Sequence, residues 1–218
     1  MGQSFAAGYM LFLLKGALWT LGLSAIALLC GGVLALVVAL CRISTQKWLR
    51  LAMAFYIQII QGTPVLVLMF LMYFGLPALG WSVSPLLAAS VSLSVYVSAY
   101  LGESWRGAIQ SVPQAQWEAA ECLALSRTQR MAKVVLPQAV RIATPPTVGF
   151  MVQIIKNTSL ASVVGFIELV RAGQIVNNTT FQPFLIYMLI AVLYFSMCYP
   201  LSIFSRKLEA RSGEKSYA

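Results

Sequence analysis

Charged residues in this chain are gathered into short stretches, with long apolar segments between them. Uncharged runs extend from Gly16 to Cys41, Leu51 to Gly102 and Ala172 to Ser205. A helix needs about 20 apolar residues to cross a bilayer, so the first and last runs each hold one span and the middle run holds two. A further apolar segment begins at Ile142, is interrupted at Lys156 and resumes through Asn157 to Ile167. The pattern predicts an all-α membrane protein with about five transmembrane helices, at 11–41, 51–75, 85–102, 142–165 and 182–205. These form a single domain over 1–218, with a cytoplasmic loop at 103–141. The first run is too long for the apolar core of a signal peptide and no basic segment leads it, so it predicts a retained helix.

Two of these spans are broken by polar residues. In the second, Gln58, Gln61, Gly62, Thr63 and Pro64 stand together in apolar surroundings. Proline removes a helical hydrogen bond and pushes the residue before it out of helical geometry. Such a break is either an ordinary kink or a surface facing a water-filled cavity. A turn is expected over Gly75-Leu76-Pro77 and Gly80, with the third span starting near Pro85. The fourth region carries Lys156, Asn157, Thr158 and Ser159, then Glu168, Arg171 and Gln174. Ionisable groups at membrane depth line cavities or pair with each other. Glu168 and Arg171 are spaced to pair on a helix, and substrate contact is the alternative.

Composition supports the membrane reading and charge orients it. The chain is 60% hydrophobic and 10% charged, with a mean hydropathy of +0.82. Of its 15 Lys and Arg residues, twelve fall on one side of the predicted spans: Arg42, Lys47, Arg50, Arg106, Arg127, Arg130, Lys133, Arg141, Arg206, Lys207, Arg211 and Lys215. The positive-inside rule then puts the N-terminus outside and the C-terminus in the cytoplasm. This topology accounts for the net charge of +9, and no basic stripe with interleaved aromatics suggests nucleic acid. Cys30, Cys41, Cys122 and Cys198 lack metal or redox spacing and are expected as reduced thiols. The sequence has no His and no Asp, which removes the usual metal ligands and hydrolytic triads and leaves no metal site expected. It also has no phosphate-binding loop.

The loop at 103–141 holds the densest local signals. Ser111 and Gln114, and again Ser126 and Gln129, have capping-box spacing. They predict two short helices meeting near Leu125 and Ser126. The first carries Trp117, Glu118, Ala119, Ala120, Leu123 and Ala124. Its small residues allow close approach by another surface, and Trp117 and Leu123 offer apolar anchors. It is either a docking element or a solvated loop.

Gln116-Trp117-Glu118-Ala119-Ala120, Leu125-Ser126 and Leu136-Pro137-Gln138-Ala139 resemble the "EAA" signature of importer-type ABC permeases. Glu103, Arg106-Gly107-Ala108-Ile109 and Ser111-Val112-Pro113 also fit that pattern. Where the pattern has Gly, six residues after its Glu, this chain has Ala124. Gly62-Thr63-Pro64-Val65-Leu66-Val67, Lys156-Asn157-Thr158-Ser159-Leu160, Glu168-Leu169 and Gly16 with Thr20 are similar to the polar amino-acid (His/Gln/Glu/Arg/opine) importer family. There the residue before the first Gly is commonly Arg, and here it is Gln61.

The resemblance implies a type I ABC importer permease fold and an ATP-driven importer of a polar amino acid or opine-like derivative at the inner membrane. It implies coupling to the ATPase through Glu118, Ala119, Ala120, Leu123 and Ala124. A substrate pathway would be lined by Gln61, Thr63, Pro64, Lys156, Asn157, Thr158, Ser159, Glu168 and Gln174. Expected partners are two ATP-binding cassette subunits, a second permease (identical or paralogous), an extracytoplasmic binding protein and the lipid bilayer. No cofactor is expected on this chain, because ATP and Mg²⁺ belong to the ATPase. The alternative is a passive pore or an ion-coupled carrier for a small polar solute, in which Glu168 or Glu103 would be the titrating acid.

Overall fold

A computed structural model describes residues 2–214 along the backbone and 7–210 with their side chains. Lys215 of the predicted basic tail, and positions 1 and 216–218, lie outside the described residues. Every regular element among those described is helical.

The first helix, α1 (Gly2–Arg42), buries Leu13, Thr20, Leu23, Ala27, Ala35 and Val38 at spacings of three to eight residues. This stripe faces inward, while Leu29 and Val33 on the other side are exposed. Its main partner is α4 (Pro85–Gln110). Two glycines set how closely the helices approach. A Cβ on Gly31 would lie 2.5 Å from the Val97 Cβ, and one on Gly102 would lie 2.7 Å from the Val38 Cγ1. Lipid supplies little hydrophobic drive between helices, so close packing over small residues carries the association. Replacing Gly31 with Leu should separate α1 from α4 and lower the thermal midpoint in detergent, whereas Leu at open Gly32 should not.

The predicted break in the second span is a sharp turn. Helices α2 (Lys47–Gly62) and α3 (Val65–Ala78) meet at 99°. Thr63, ahead of the proline, is extended at φ −107° and ψ 129°, as the Pro64 ring requires. Its hydroxyl donates to the Ile59 carbonyl at 2.7 Å, satisfying an acceptor that the interrupted helix leaves free. The expected turn at Gly75 to Pro77 lies later: the helix runs to Ala78, and Gly80 takes the left-handed conformation at φ +89°. Ser84 then caps α4 by accepting from the Leu87 amide at 3.2 Å.

After α4 come α5 (Gln114–Cys122), α6 (Arg127–Arg130) and α7 (Leu136–Asn157). A five-residue π-helical stretch, Met131–Val135, joins the last two into one continuous rod. Helices α8 (Leu169–Thr180) and α9 (Pro183–Glu214) complete the chain.

Among the described residues, three helices are long and apolar enough to cross a membrane: Ala7–Arg42, Pro85–Gln110 and Pro183–Ala210. The bent pair α2–α3 is a fourth candidate. The α7 helix has the length but carries Arg141 and Lys156. It packs between α4 and α9, with the Trp105 indole donating to Thr147 at 2.9 Å and the Ser205 hydroxyl to the Pro145 carbonyl at 3.1 Å. Helix bounds depart from the expected segments, most informatively in the third and fourth. The third predicted span ends at 102, yet its helix continues to Gln110. The fourth, 142–165, starts earlier as helix and ends at Asn157, followed by a single 3₁₀ stretch, Thr158–Ser162.

Candidate translocation and coupling sites

The loop at 103–141 is a helix–turn–helix built from local rules. Proline at 113 and the capping residues at 126 mark its two starts, although the first cap is not the expected one. Ser111 donates back to the Gly107 carbonyl at 2.8 Å and ends α4, so α5 begins after Pro113 with no side-chain cap. The Ser126–Gln129 box forms in full. The Gln129 amide donates to Ser126 Oγ at 3.3 Å, and the Ser126 amide donates to Gln129 Oε1 at 2.9 Å.

Between the two helices, the Leu125 amide reaches the Ala120 carbonyl at 3.3 Å and the Ala124 amide reaches that of Glu121 at 2.8 Å. This is a Schellman ending, and it requires the left-handed conformation that Ala124 adopts at φ +53°. A Cβ there costs about 1 kcal/mol relative to glycine. Ala124→Gly should therefore raise the thermal midpoint of the purified chain without moving the turn. An ion pair from Arg130 Nη1 to Glu121 Oε2, 2.8 Å, closes the motif.

The five proposed coupling residues do not share one face. Trp117 packs against a cluster of Ile109, Val112, Val135 and Ala139, and Ala120 on the same short helix is buried, 2% exposed. It serves the motif's own interior, as does the half-buried Trp117. Glu118, Ala119 and Ala124 are exposed, and Leu123 projects at 74% exposure. The outward surface is thus a leucine at the turn among small and acidic residues.

At one end of the spans, Glu103 accepts from Arg106 at 2.5 Å and from Arg42 at 3.4 Å. Arg42 also donates to the Arg50 carbonyl at 3.3 Å. One carboxylate therefore ties α4 to the end of α1, and Arg42 ties α1 to the start of α2. Two arginines around Glu103 leave it no free role as a proton carrier.

The polar residues of the fourth region separate into different roles. Lys156 is exposed. Asn157 is half-buried and accepts from Gln153 at 3.2 Å. Thr158 is buried and donates to the Ile155 carbonyl at 2.7 Å, while Ser159 donates to that of Lys156 at 2.7 Å. These two hydroxyls finish α7. In the broken second span, Gln61 and Pro64 are exposed and Thr63 is half-exposed.

Glu168 is a helix cap sealed from solvent. Its carboxylate accepts from the Val170 and Arg171 amides at 2.9 Å each, from the Tyr194 hydroxyl at 3.0 Å and from the Thr20 hydroxyl at 3.4 Å. Thr20 in turn accepts from the Leu169 amide at 3.2 Å. The expected Glu168–Arg171 side-chain pair does not form, because Glu168 takes Arg171's backbone and Arg171 Nη1 donates to Gln174 Oε1 at 3.1 Å. Gly16 explains itself here: a Cβ on it would lie 3.0 Å from the Leu169 Cα and 3.2 Å from the Glu168 carbonyl. In the sequence, Glu168 stands out as an ionisable group in apolar surroundings, and Gly16 with Thr20 through the family resemblance, with no sign that they meet. Tyr194, in a long apolar run, gave no signal.

This arrangement, a bundle with an exposed helix–turn–helix on a rod running into it, is matched in known proteins. Residues 27–213 match the family described as "Binding-protein-dependent transport system inner membrane component". The chain belongs to that family. It is 36% identical over 200 residues to the probable amino-acid ABC transporter permease protein YckA of Bacillus subtilis, covering 92% of this chain and 88% of the relative. To the L-cystine transport system permease protein TcyB of the same organism it is 34% identical, covering 90% and 84%. A solved structure described as an amino acid ABC transporter with histidines superposes with a TM-score of 0.90 at 32% identity, covering 94% of this chain and 96% of the other. The MetNI methionine ABC transporter shares the fold at a TM-score of 0.72 and 18% identity. The chain is accordingly a membrane permease, a translocation subunit whose ATPase activity sits on a separate subunit.

Proposed function

We propose that this chain is the membrane-spanning subunit of an importer at the inner membrane that moves a polar amino acid, using ATP hydrolysed by two cassette subunits docked on its helix–turn–helix. A second permease, identical or paralogous, supplies the other half of the pathway, and an extracytoplasmic binding protein delivers the substrate. The N-terminus is external and the C-terminus cytoplasmic. Leu123 carries this reading: an apolar side chain at 74% exposure, held by a turn with its own Schellman bonds and ion pair, on a rod continuous with α7. Solvent-exposed leucine on so ordered a motif fits a partner's groove. The basic cytoplasmic ends and the named relatives, probable amino-acid and glutamine permeases among them, support the direction and the substrate class.

Five spans remain the proposed topology, with α7 as the fourth. The pathway follows the exposed break at Gln61, Thr63 and Pro64, with Lys156, Asn157 and Gln174 as further contacts. Glu168, Thr158 and Ser159 act instead by holding helix ends. A single cysteine at Thr63 should react with small hydrophilic thiol reagents at a rate that changes when ATP is trapped, while one at Thr158 should stay inert. Equal, unchanging rates at Thr63 would remove it from the pathway.

Reconstitution with the ATPase and binding protein, assayed against radiolabelled glutamine, glutamate, cystine, histidine and arginine, tests the function. Uptake of at least one that requires ATP is expected. Uptake driven by a proton or sodium gradient without ATP would favour the ion-coupled carrier.

A further inference from the structure

We infer that Pro137 and Gln138 hold a one-residue bulge that sets the rotational register between the docking helix and α7, making Pro137 a positioning residue for transport. The inference rests on reading α5 as the ATPase-docking helix. At Met131–Val135 the rod widens into π-helix, and the Leu136 amide donates to the Met131 carbonyl five residues back. Pro137 follows at once. It has no N–H to give, and its ring crowds the carbonyl four residues earlier, that of Lys133. Widening the turn carries that carbonyl clear. The same order recurs at Leu71–Gly75, followed by Pro77.

Proline alone does not impose the bulge, since Pro145, Pro146 and Pro200 sit inside α-helices. Pro137 differs from Pro77 in its neighbour, Gln138 in place of Ala78, which ties this bulge to the docking helix. Gln138 Nε2 donates to the Val134 carbonyl at 3.0 Å and, at 3.4 Å, to Gln116 Oε1 on the docking helix. Val135 and Ala139, on either side, are buried in the same cluster as Ile109 and Val112. The bulge is thereby fastened to α5 on one side and to the end of α4 on the other.

A π turn holds one residue more than an α turn. Removing it would rotate everything upstream by about 100° and advance it by about 1.5 Å relative to α7. Upstream lie the Glu121–Arg130 pair and Leu123, so the bulge decides which way the docking turn faces. This gives a physical reason why Leu136-Pro137-Gln138-Ala139 accompanies Gln116 to Ala120 in one signature: Gln138 and Gln116 touch. Single-turn π bulges within α-helices frequently mark functional positions.

The test uses the assembled transporter in proteoliposomes, with an amino acid from the panel above that supports uptake. P137A, and P137A combined with deletion of Ala132, are compared with the parent for ATPase retained, amino acid moved per ATP, and the distance between spin labels at the exposed positions Ala115 and Leu51. P137A should keep the ATPase, lower transport per ATP about tenfold and shift the distance. Deleting Ala132 in that background should return both values towards the parent's. An unchanged P137A, or a loss that the deletion does not repair, overturns the inference. Should P137A not assemble, Q138A, which leaves the proline in place, should lower transport per ATP about threefold, and an unaffected Q138A overturns it equally. Failure of the docking reading is distinguishable, because it shows as ATPase retained by Leu123→Glu whatever Pro137 does.

Discussion

Replacing Glu168 with alanine should destabilise the chain by about 3–5 kcal/mol, the largest single loss expected outside the helix crossings. The side chain is wholly buried and four donors converge on it. Losing a helix cap costs about 1 kcal/mol, and each donor stranded without water costs about 1–3 kcal/mol. Tyr194 and Thr20 are both left stranded, and a cavity opens between α1, α8 and α9. Thermal unfolding in detergent should show a much lower midpoint, and expression should fall. Glu168→Gln keeps the shape but turns an amide N–H towards four donors, so it should also destabilise, by less. A fully stable Glu168→Gln whose transport has merely lost its pH dependence would instead mark a proton-carrying acid.

Much of this site could be read from the sequence, though not always in its right role. The break at Gln61 to Pro64 was legible because proline geometry is local, and the size of its bend was not, because packing against α4 sets it. The Ser126 box was legible for the same reason. The identical spacing at Ser111 misled: α4 continues to Gln110, so Ser111 closes one helix rather than opening the next. Glu168 and Arg171 have the spacing of a pair, but Glu168 precedes the helix and is drawn to its free amides. Ala120 belongs to the small-residue run that suggested a contact face. Which side of a short helix faces inward depends on Val135 and Ala139, distant in sequence, and only the fold reveals it. The absence of glycine at 124 was legible with the loss of backbone freedom it brings, and the structure adds that the turn takes the left-handed conformation all the same.

That placement of Ala120 separates two substitutions that look equivalent in sequence. Ala120→Arg would drive a charge into the motif's own core, which costs several kcal/mol, on the order of 3–5 for an unpaired buried charge, and would break the helix–turn–helix itself. Its failure to bind an ATPase would say nothing about docking. Leu123→Glu is the informative change. With the side chain at 74% exposure, the isolated chain loses little, and its thermal midpoint should match the parent's. In the assembled transporter an apolar anchor is lost and a charge is buried against the partner. Each 1.4 kcal/mol is about tenfold in affinity, so a penalty of about 3 kcal/mol should weaken docking at least a hundredfold.

Co-purification of the ATPase with Leu123→Glu therefore tests the central claim most directly, scored beside the variant's own thermal midpoint. The account predicts an intact permease that no longer retains the ATPase and no longer takes up amino acid. An intact permease that retains its ATPase and transports normally would contradict it, and the helix–turn–helix would not be the surface through which ATP drives this transporter.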